Sequence, residues 1–127
     1  MKILDLHNEV SVASLYAGTA LLAASPISGT GVDIRDYQGV LKVILDSGAG
    51  GGTTPTLDAK LQDSANNTTF ADITGKAFTQ VTTAVSLQSL AIDTRAVRRY
   101  LRIYITITGT GATYGLAVTM AGQVQRI

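Results

Sequence analysis

The chain contains no cysteine and no tryptophan, one histidine (His7), one glutamate (Glu9) and two prolines among 127 residues. Each absence closes a class of chemistry. Without cysteine there is no disulfide framework, no thiol nucleophile and no thiolate metal site. With one imidazole, a zinc centre, a Ser-His-Asp triad or a histidine general base would each have to be built on His7, close to the start of the sequence where chains often fray. Five Tyr and two Phe are the whole aromatic complement, a thin supply for a sugar- or base-stacking cleft. Charge is scarce and balanced: ten Lys and Arg face nine Asp and Glu, and charged residues make up 15% of the chain against a typical quarter. A dedicated nucleic-acid binder needs many uncompensated cations to displace counterions from phosphate, so no direct nucleic-acid partner is expected.

Address signals are equally sparse. Lys2, Ile3 and Leu4 begin like a secretory leader, but Asp5, His7 and Glu9 break the apolar run at once. The longest apolar-looking stretch, Leu15 to Ala24, contains Gly18 and Thr19 and falls far short of the roughly 20 residues of a spanning helix. The expectation is a protein made in a cytoplasm, kept there or assembled into something larger, with no membrane partner. At 13.2 kDa, area scaling lets about two-thirds of the unfolded chain's surface be buried, enough for one domain.

What is present is Thr, Val, Ile and Gly, the usage of strands and tight turns. In Thr56 to Asp63, Leu57, Ala59 and Leu61 alternate with Thr56, Asp58, Lys60 and Gln62, the period of a half-buried strand. Leu101, Ile103, Ile105 and Ile107 alternate more strongly with Tyr100, Arg102, Tyr104, Thr106 and Thr108. Gly109-Thr110-Gly111 then predicts a turn, and Tyr114, Leu116, Val118 and Met120 the apolar side of a return strand, so that the two read as a long hairpin. Gly39 to Leu45 is a nearly continuous apolar run, consistent with a strand buried on both sides or on most of one. It ends in Asp46 to Gly52, a loop by composition. Asn66-Asn67 marks a turn before a strand at Thr69 to Ile73, and Val85 and Leu87 set against Ser86 and Gln88 predict another. Seven or eight strands at spacings near ten residues predict an all-β fold, an antiparallel β-sandwich or jelly roll. Residues 1–30 differ in character: Val10 to Ala24 reads as a strand pair, a short helix or an arm ordered on a neighbour and Ser25 to Gly31 as a linker, so 1–30 is assigned to an arm or extension and 31–127 to the sandwich.

Motifs that would carry chemistry are incomplete. Gly48 to Thr54 invites comparison with a phosphate-cradling loop, but the Gly-Lys-Ser/Thr ending is missing and no helix follows. The aspartates show no EF-hand spacing, and Asn66 to Thr69 contains glycosylation acceptor patterns that, without a leader, mean a polar turn. No catalytic, cofactor-binding or metal-ligating residue is expected. The densest cationic stretch holds Arg95, Arg98, Arg99 and Arg102, and strand alternation places Arg98 and Arg102 on one face with Tyr100 and Tyr104. Such a stripe suits a solvated face, a protein contact or, less well, nucleobase stacking.

The order of features, Gly39-Val40-Leu41-Lys42-Val43-Ile44-Leu45, a Gly/Thr-rich loop, Thr56 to Ser64, Thr68 to Ile73, and Arg98-Arg99-Tyr100-Leu101-Arg102-Ile103 with an apolar closing strand, resembles a family of small virion proteins encoded among the head genes of tailed bacteriophages. The resemblance spans roughly residues 31–125. It implies a non-enzymatic β-sandwich that decorates and cements the outer surface of the capsid, commonly as a homotrimer, with the major capsid protein and itself as partners. Protein contacts are then expected at Arg95, Arg98, Tyr100, Arg102 and Tyr104. An N-terminal arm would grip the capsid through Leu4, Leu6, Val10, Val12, Leu15 and Tyr16. The competing expectation is a carbohydrate-binding sandwich using Tyr100, Tyr104 or Tyr114, or another virion component such as a tail or neck protein.

Overall fold

Alternating β-branched and polar residues build strands throughout the computed structural model, which describes residues 10–17, 22–23 and 26–124. The strands are β1 (Val10–Tyr16), β2 (Leu22–Ala23), β3 (Pro26–Ser28), β4 (Val32–Asp33), β5 (Tyr37–Ser47), β6 (Gly51–Ser64), β7 (Ala71–Ala77), β8 (Ser86–Asp93), β9 (Tyr100–Tyr114) and β10 (Leu116–Val124). They form two antiparallel sheets, one of four strands in the order β1-β10-β5-β8 and one of six built on β2-β9-β6-β7. The short strands β2, β3 and β4 lie end to end along the same side of β9, opposite Tyr114, Ile105 and Leu101 respectively, and act as one interrupted strand.

Counted that way, eight strands pair first with last, second with seventh, third with sixth and fourth with fifth: β1 with β10, β2–β4 with β9, β5 with β8 and β6 with β7. This nesting is a long folded ribbon rolled into a sandwich, the jelly roll. The all-β, antiparallel architecture expected from the sequence is the one observed.

The inner faces carry the periodicity. Leu41, Val43 and Leu45 of β5, Leu57 and Leu61 of β6, Leu101, Ile103 and Ile105 of β9, and Val118 and Met120 of β10 are all fully buried between the sheets. Each such side chain stabilises the fold by about 1.5–3 kcal/mol through loss of apolar surface to water.

Three expectations are corrected by the register. The boundary at residue 30 does not separate an arm from a sandwich. Val10–Tyr16 is hydrogen-bonded along β10, Leu15 is 3% exposed in the core, and the segment 22–33 supplies a whole strand position beside β9. Val10 and Val12 alternate, but Leu15 falls in the opposite phase next to the irregularity between Ser14 and Tyr16, and Gly18 and Ser25-Pro26 interrupt the pattern further on. Second, β9 and β10 are not a hairpin. β9 runs through Gly109-Thr110-Gly111 without turning, and the chain changes sheets at Gly115. The glycines serve register shifts against β6 instead. Gly109 (φ 123°) and Gly52 (φ 93°) take conformations L side chains avoid, and a Cβ on Gly52 would lie 2.5 Å from the carbonyl oxygen of Gly111. Pro55 sits at one of these shifts, where its missing N–H costs no ladder bond.

Third, the phase of β8 is opposite to the expected one. Leu90 and Ile92 face inward, while Val85 and Leu87 are each 74% exposed. Of the two readings of Gly39 to Leu45, the strand buried mostly on one face is the one observed, with Lys42 and Asp46 in solvent. The Asn66-Asn67 turn is as expected: Asn66 Oδ1 accepts from the backbone N–H groups of Thr68 and Thr69, and Asn67 takes a left-handed φ of 60°.

Candidate interaction surfaces

The two outer faces of the sandwich differ in chemistry. On the six-stranded sheet the register sets Tyr100, Arg102 and Tyr104 of β9 opposite Ser64, Gln62 and Lys60 of β6. A network joins them. Arg102 Nε donates to Gln62 Oε1 at 2.8 Å, Gln62 Nε2 donates to Asp72 Oδ1 at 2.8 Å, and Lys60 Nζ donates to Asp72 Oδ2 at 2.8 Å. The Arg102 guanidinium stacks 4.0 Å from the Phe70 ring centre, and Lys60 lies 5.3 Å from that of Tyr104. Lys60 and then Gln62 hold the Asp72 carboxyl below the ordinary carboxylate range. Three of the five expected stripe residues, Tyr100, Arg102 and Tyr104, therefore share a face, where Arg102 is held by Gln62 and Phe70 and the two tyrosine rings lie beside Arg99 and Lys60.

Arg95 and Arg98 do not join that stripe, because they lie in the turn before β9 rather than in it. Arg98 grips Asp63, the largely buried carboxylate near the end of β6. Its backbone N–H donates to Oδ2 at 3.0 Å, Nε to Oδ1 at 3.1 Å, and Nη2 to Oδ1 at 2.8 Å and to the Asp63 carbonyl at 2.9 Å. Arg95 folds back on Asp93 from an almost fully solvated position. Arg99 donates to Asp33 Oδ2 from Nε at 3.1 Å and Nη2 at 2.8 Å and covers the Tyr100 ring at 5.1 Å. That pairing, with the Arg35 backbone N–H, lowers the Asp33 pKa, and the Arg95 backbone N–H does most to lower that of Asp93. A run read in sequence as one basic stripe is thus three Arg–Asp pairs, at Arg95, Arg98 and Arg99, and an Arg102 held by Gln62 and Phe70. The partners Asp33 and Asp63 are distant in sequence, so no local spacing reveals them.

Tyr114 is excluded as a sugar platform. It is fully buried, its hydroxyl donates to the carbonyls of Val81 and Thr82 at 3.0 and 2.8 Å, and burial raises its pKa.

The outer face of the four-stranded sheet is the reverse of the polar one. Cross-strand rows run Ser14–Thr119–Ile44–Ser89 and Val12–Ala121–Lys42–Ala91, with Ala117, Asp46 and Leu87 in the next. Lys42 and Asp46 are the charged side chains in these rows. Val12 is 69% exposed and Val40, at the end of β5, 60%. Of the arm residues, Val12 belongs to this face, Leu15 to the core, and Tyr16 packs against the core edge. Val10 is half-buried in β1, while Leu4 and Leu6 lie outside the described residues. Sequence reading missed Val40, Ile44, Ala91 and Leu87 as surface residues because apolar side chains stand in both phases of β5 and β8. Among the described residues no group of three or more metal-ligating side chains converges.

A jelly-roll sandwich with one ionic and one apolar outer face belongs to an architectural class used widely for shells and lectins. No protein-family model and no curated protein matches the chain. Solved structures do. The VP2 of an infectious bursal disease virus subviral particle is similar over 91% of this chain and 32% of its own, at 12% identity and a TM-score of 0.56. This chain therefore spans about a third of that protein, and at such identity what is shared is the fold. The structure of the Gx strain of the same virus is similar over 92% of this chain and 29% of its own, at 11% identity and a TM-score of 0.43. A Bacillus endospore appendage protein, from a family of disulfide-linked pili, covers 98% of both chains at 14% identity and a TM-score of 0.43.

Proposed function

We propose that the protein is a non-enzymatic structural component of a virion, decorating and cementing the outer capsid surface of a tailed bacteriophage after synthesis in the host cytoplasm. The observation that carries this reading is the apolar outer face of the four-stranded sheet, on a fold shared with a viral capsid protein. Exposed Val12, Val40 and Leu87 stand on this face among Ala, Ser and Thr, with Lys42 and Asp46 between them, and large apolar side chains exposed together on one face mark contact sites. The major capsid protein is the partner assigned to it.

Magnitude favours an oligomer. Four strands about 4.8 Å apart and some six residues long give a patch of roughly 400 Å², half the roughly 800 Å² per partner of a stable interface. A single copy would attach weakly, and linking copies, as in a homotrimer, multiplies attachment through effective concentration. Tyr100, Arg102 and Tyr104 then lie on the opposite face, available for lateral or outward contacts.

The test is co-sedimentation of purified protein with mature capsids, using Leu87→Arg and Ala121→Arg to place charge on the patch. Wild-type decoration with loss in both variants, each still folded, supports the reading. Decoration by the variants at wild-type level, or none by the wild type, overturns it.

A further inference from the structure

The turns before β5 and before β9 meet at one end of the sandwich and enclose a hollow of about 340 Å³ lined by Arg35, Arg95, Arg98 and Arg99 together with Gln38 and Thr94. Four of the ten cations of the chain thus converge from two segments some sixty residues apart. Their carboxylates occupy one edge of each fork. Asp63 takes Nε and Nη2 of Arg98, Asp33 takes those of Arg99, and Asp93 takes those of Arg95. Among the described residues no protein acceptor engages Nη1 of these three, and Arg35 approaches Asp36 only at 4.0 Å. The carboxylates therefore orient the guanidinium groups without exhausting their donors.

We infer that this hollow is a binding site for carboxylate side chains, taken from an acidic segment of a partner protein. Paired N–H groups match a planar carboxylate in bidentate fashion. Nucleic acid is disfavoured because phosphate-backbone binding draws on several uncompensated cations and each of these arginines already faces an aspartate, whereas one carboxylate needs only a single open guanidinium edge. A dianionic phosphate is disfavoured because Asp33, Asp36, Asp63 and Asp93 pair with these guanidinium groups and would repel it more than a single carboxylate. Arg35 and Arg95 are the adaptable members, with side chains 63% and 87% exposed, while Arg98 and Arg99 form the fixed wall. This site is distinct from the apolar sheet face and does not depend on the shell reading.

The experiment is an amide NMR titration of the full chain with a capped tetraglutamate peptide, with tetra-alanine and inorganic phosphate as parallel titrants. Saturable shifts are expected at Arg35, Gln38, Thr94 and Arg95, suppressed by about 1 M NaCl. In Arg35→Gln/Arg95→Gln, whose spectrum should otherwise be unchanged, affinity should fall by about tenfold or more, the loss of at least one charge-assisted hydrogen bond. Absence of shifts at these residues, undiminished binding by the double variant, or a phosphate response equal to that of the peptide would each overturn the assignment.

Discussion

Replacing Leu15 by alanine separates a strand built into the sandwich from an arm attached to it. Leu15 is 3% exposed, lies on β1 facing between the sheets, and its carbonyl oxygen would sit 3.0 Å from a Cβ on Gly29, in the segment beside β9. Truncating a buried leucine removes transfer free energy and leaves a cavity, in total 2–5 kcal/mol; an edge strand can partly collapse, so about 3 kcal/mol is expected. An unfolding entropy of about 2.1 cal/mol/K per residue gives roughly 0.27 kcal/mol/K for a chain of this length, so the melting temperature should fall by about 11 °C. With a urea m-value of roughly 1.5–2 kcal/mol/M the midpoint should drop by about 1.5–2 M. Val12→Ala, three positions away but 69% exposed, is the internal control and should change stability by less than about 0.5 kcal/mol. Urea unfolding followed by far-UV circular dichroism measures both. Equal midpoints for Leu15→Ala and Val12→Ala would refute the placement of β1 in the core and restore the arm. By the same reasoning, deletion of residues 1–24 should abolish cooperative folding, since it removes the strand that covers one edge of β10.

Tyr114→Phe should cost about 1 kcal/mol, because one hydroxyl serves the carbonyls of Val81 and Thr82 at the bottom of the core, and calorimetry would show a melting shift of about 3–4 °C. Gly52→Ala should destabilise by more than about 2 kcal/mol, since its φ of 93° and the 2.5 Å approach of the Gly111 carbonyl leave no room for a methyl group, whereas Gly48→Ala, whose nearest contact is at 3.4 Å, should be much milder by the same assay. The lowered pKa values of Asp33, Asp72 and Asp93 mean that on acidification the unfolded chain takes up protons first. Their contribution is complete above about pH 4 and disappears as pH falls through the lower folded values, so urea midpoints should decline below that pH. Arg99→Ala should flatten the acid-side slope by removing the main cause of the Asp33 shift; an unchanged slope would count against the Arg99–Asp33 pair.

The central strands were legible because their alternation is strict and the opposing phase is polar: Leu101 to Ile107 against Tyr100 to Thr108, and Leu57 to Leu61 against Asp58 to Gln62. Legibility failed where either condition lapsed. At β8, Leu87 and the preceding Val85 form an apolar phase as convincing as Leu90 and Ile92, and only pairing with β5 decides which is inside. Gly109 to Gly111 reads as a turn from composition, yet those glycines let β9 bulge past β6 and continue, a use that depends on a partner distant in sequence. The interrupted strand β2–β4 is too short in each piece to show a period. Among the expected contact residues, Tyr100, Arg102 and Tyr104 follow from strand parity. Arg98 required knowledge of Asp63, and the Arg35 hollow required the two turns to be seen side by side.

The position of β10 has a consequence for how the molecule is made. Although it is the last described strand in the chain, it lies inside its sheet, between β1 and β5, which touch each other nowhere along the ladder. During synthesis, β1 therefore has no neighbour and β5 only β8 until the residues near the carboxyl end emerge. The four-stranded sheet closes in one late step, by insertion of a strand into a waiting gap. Until then the edges of β1 and β5 that β10 will fill stay open, the kind of exposure that slows folding and favours pairing between chains.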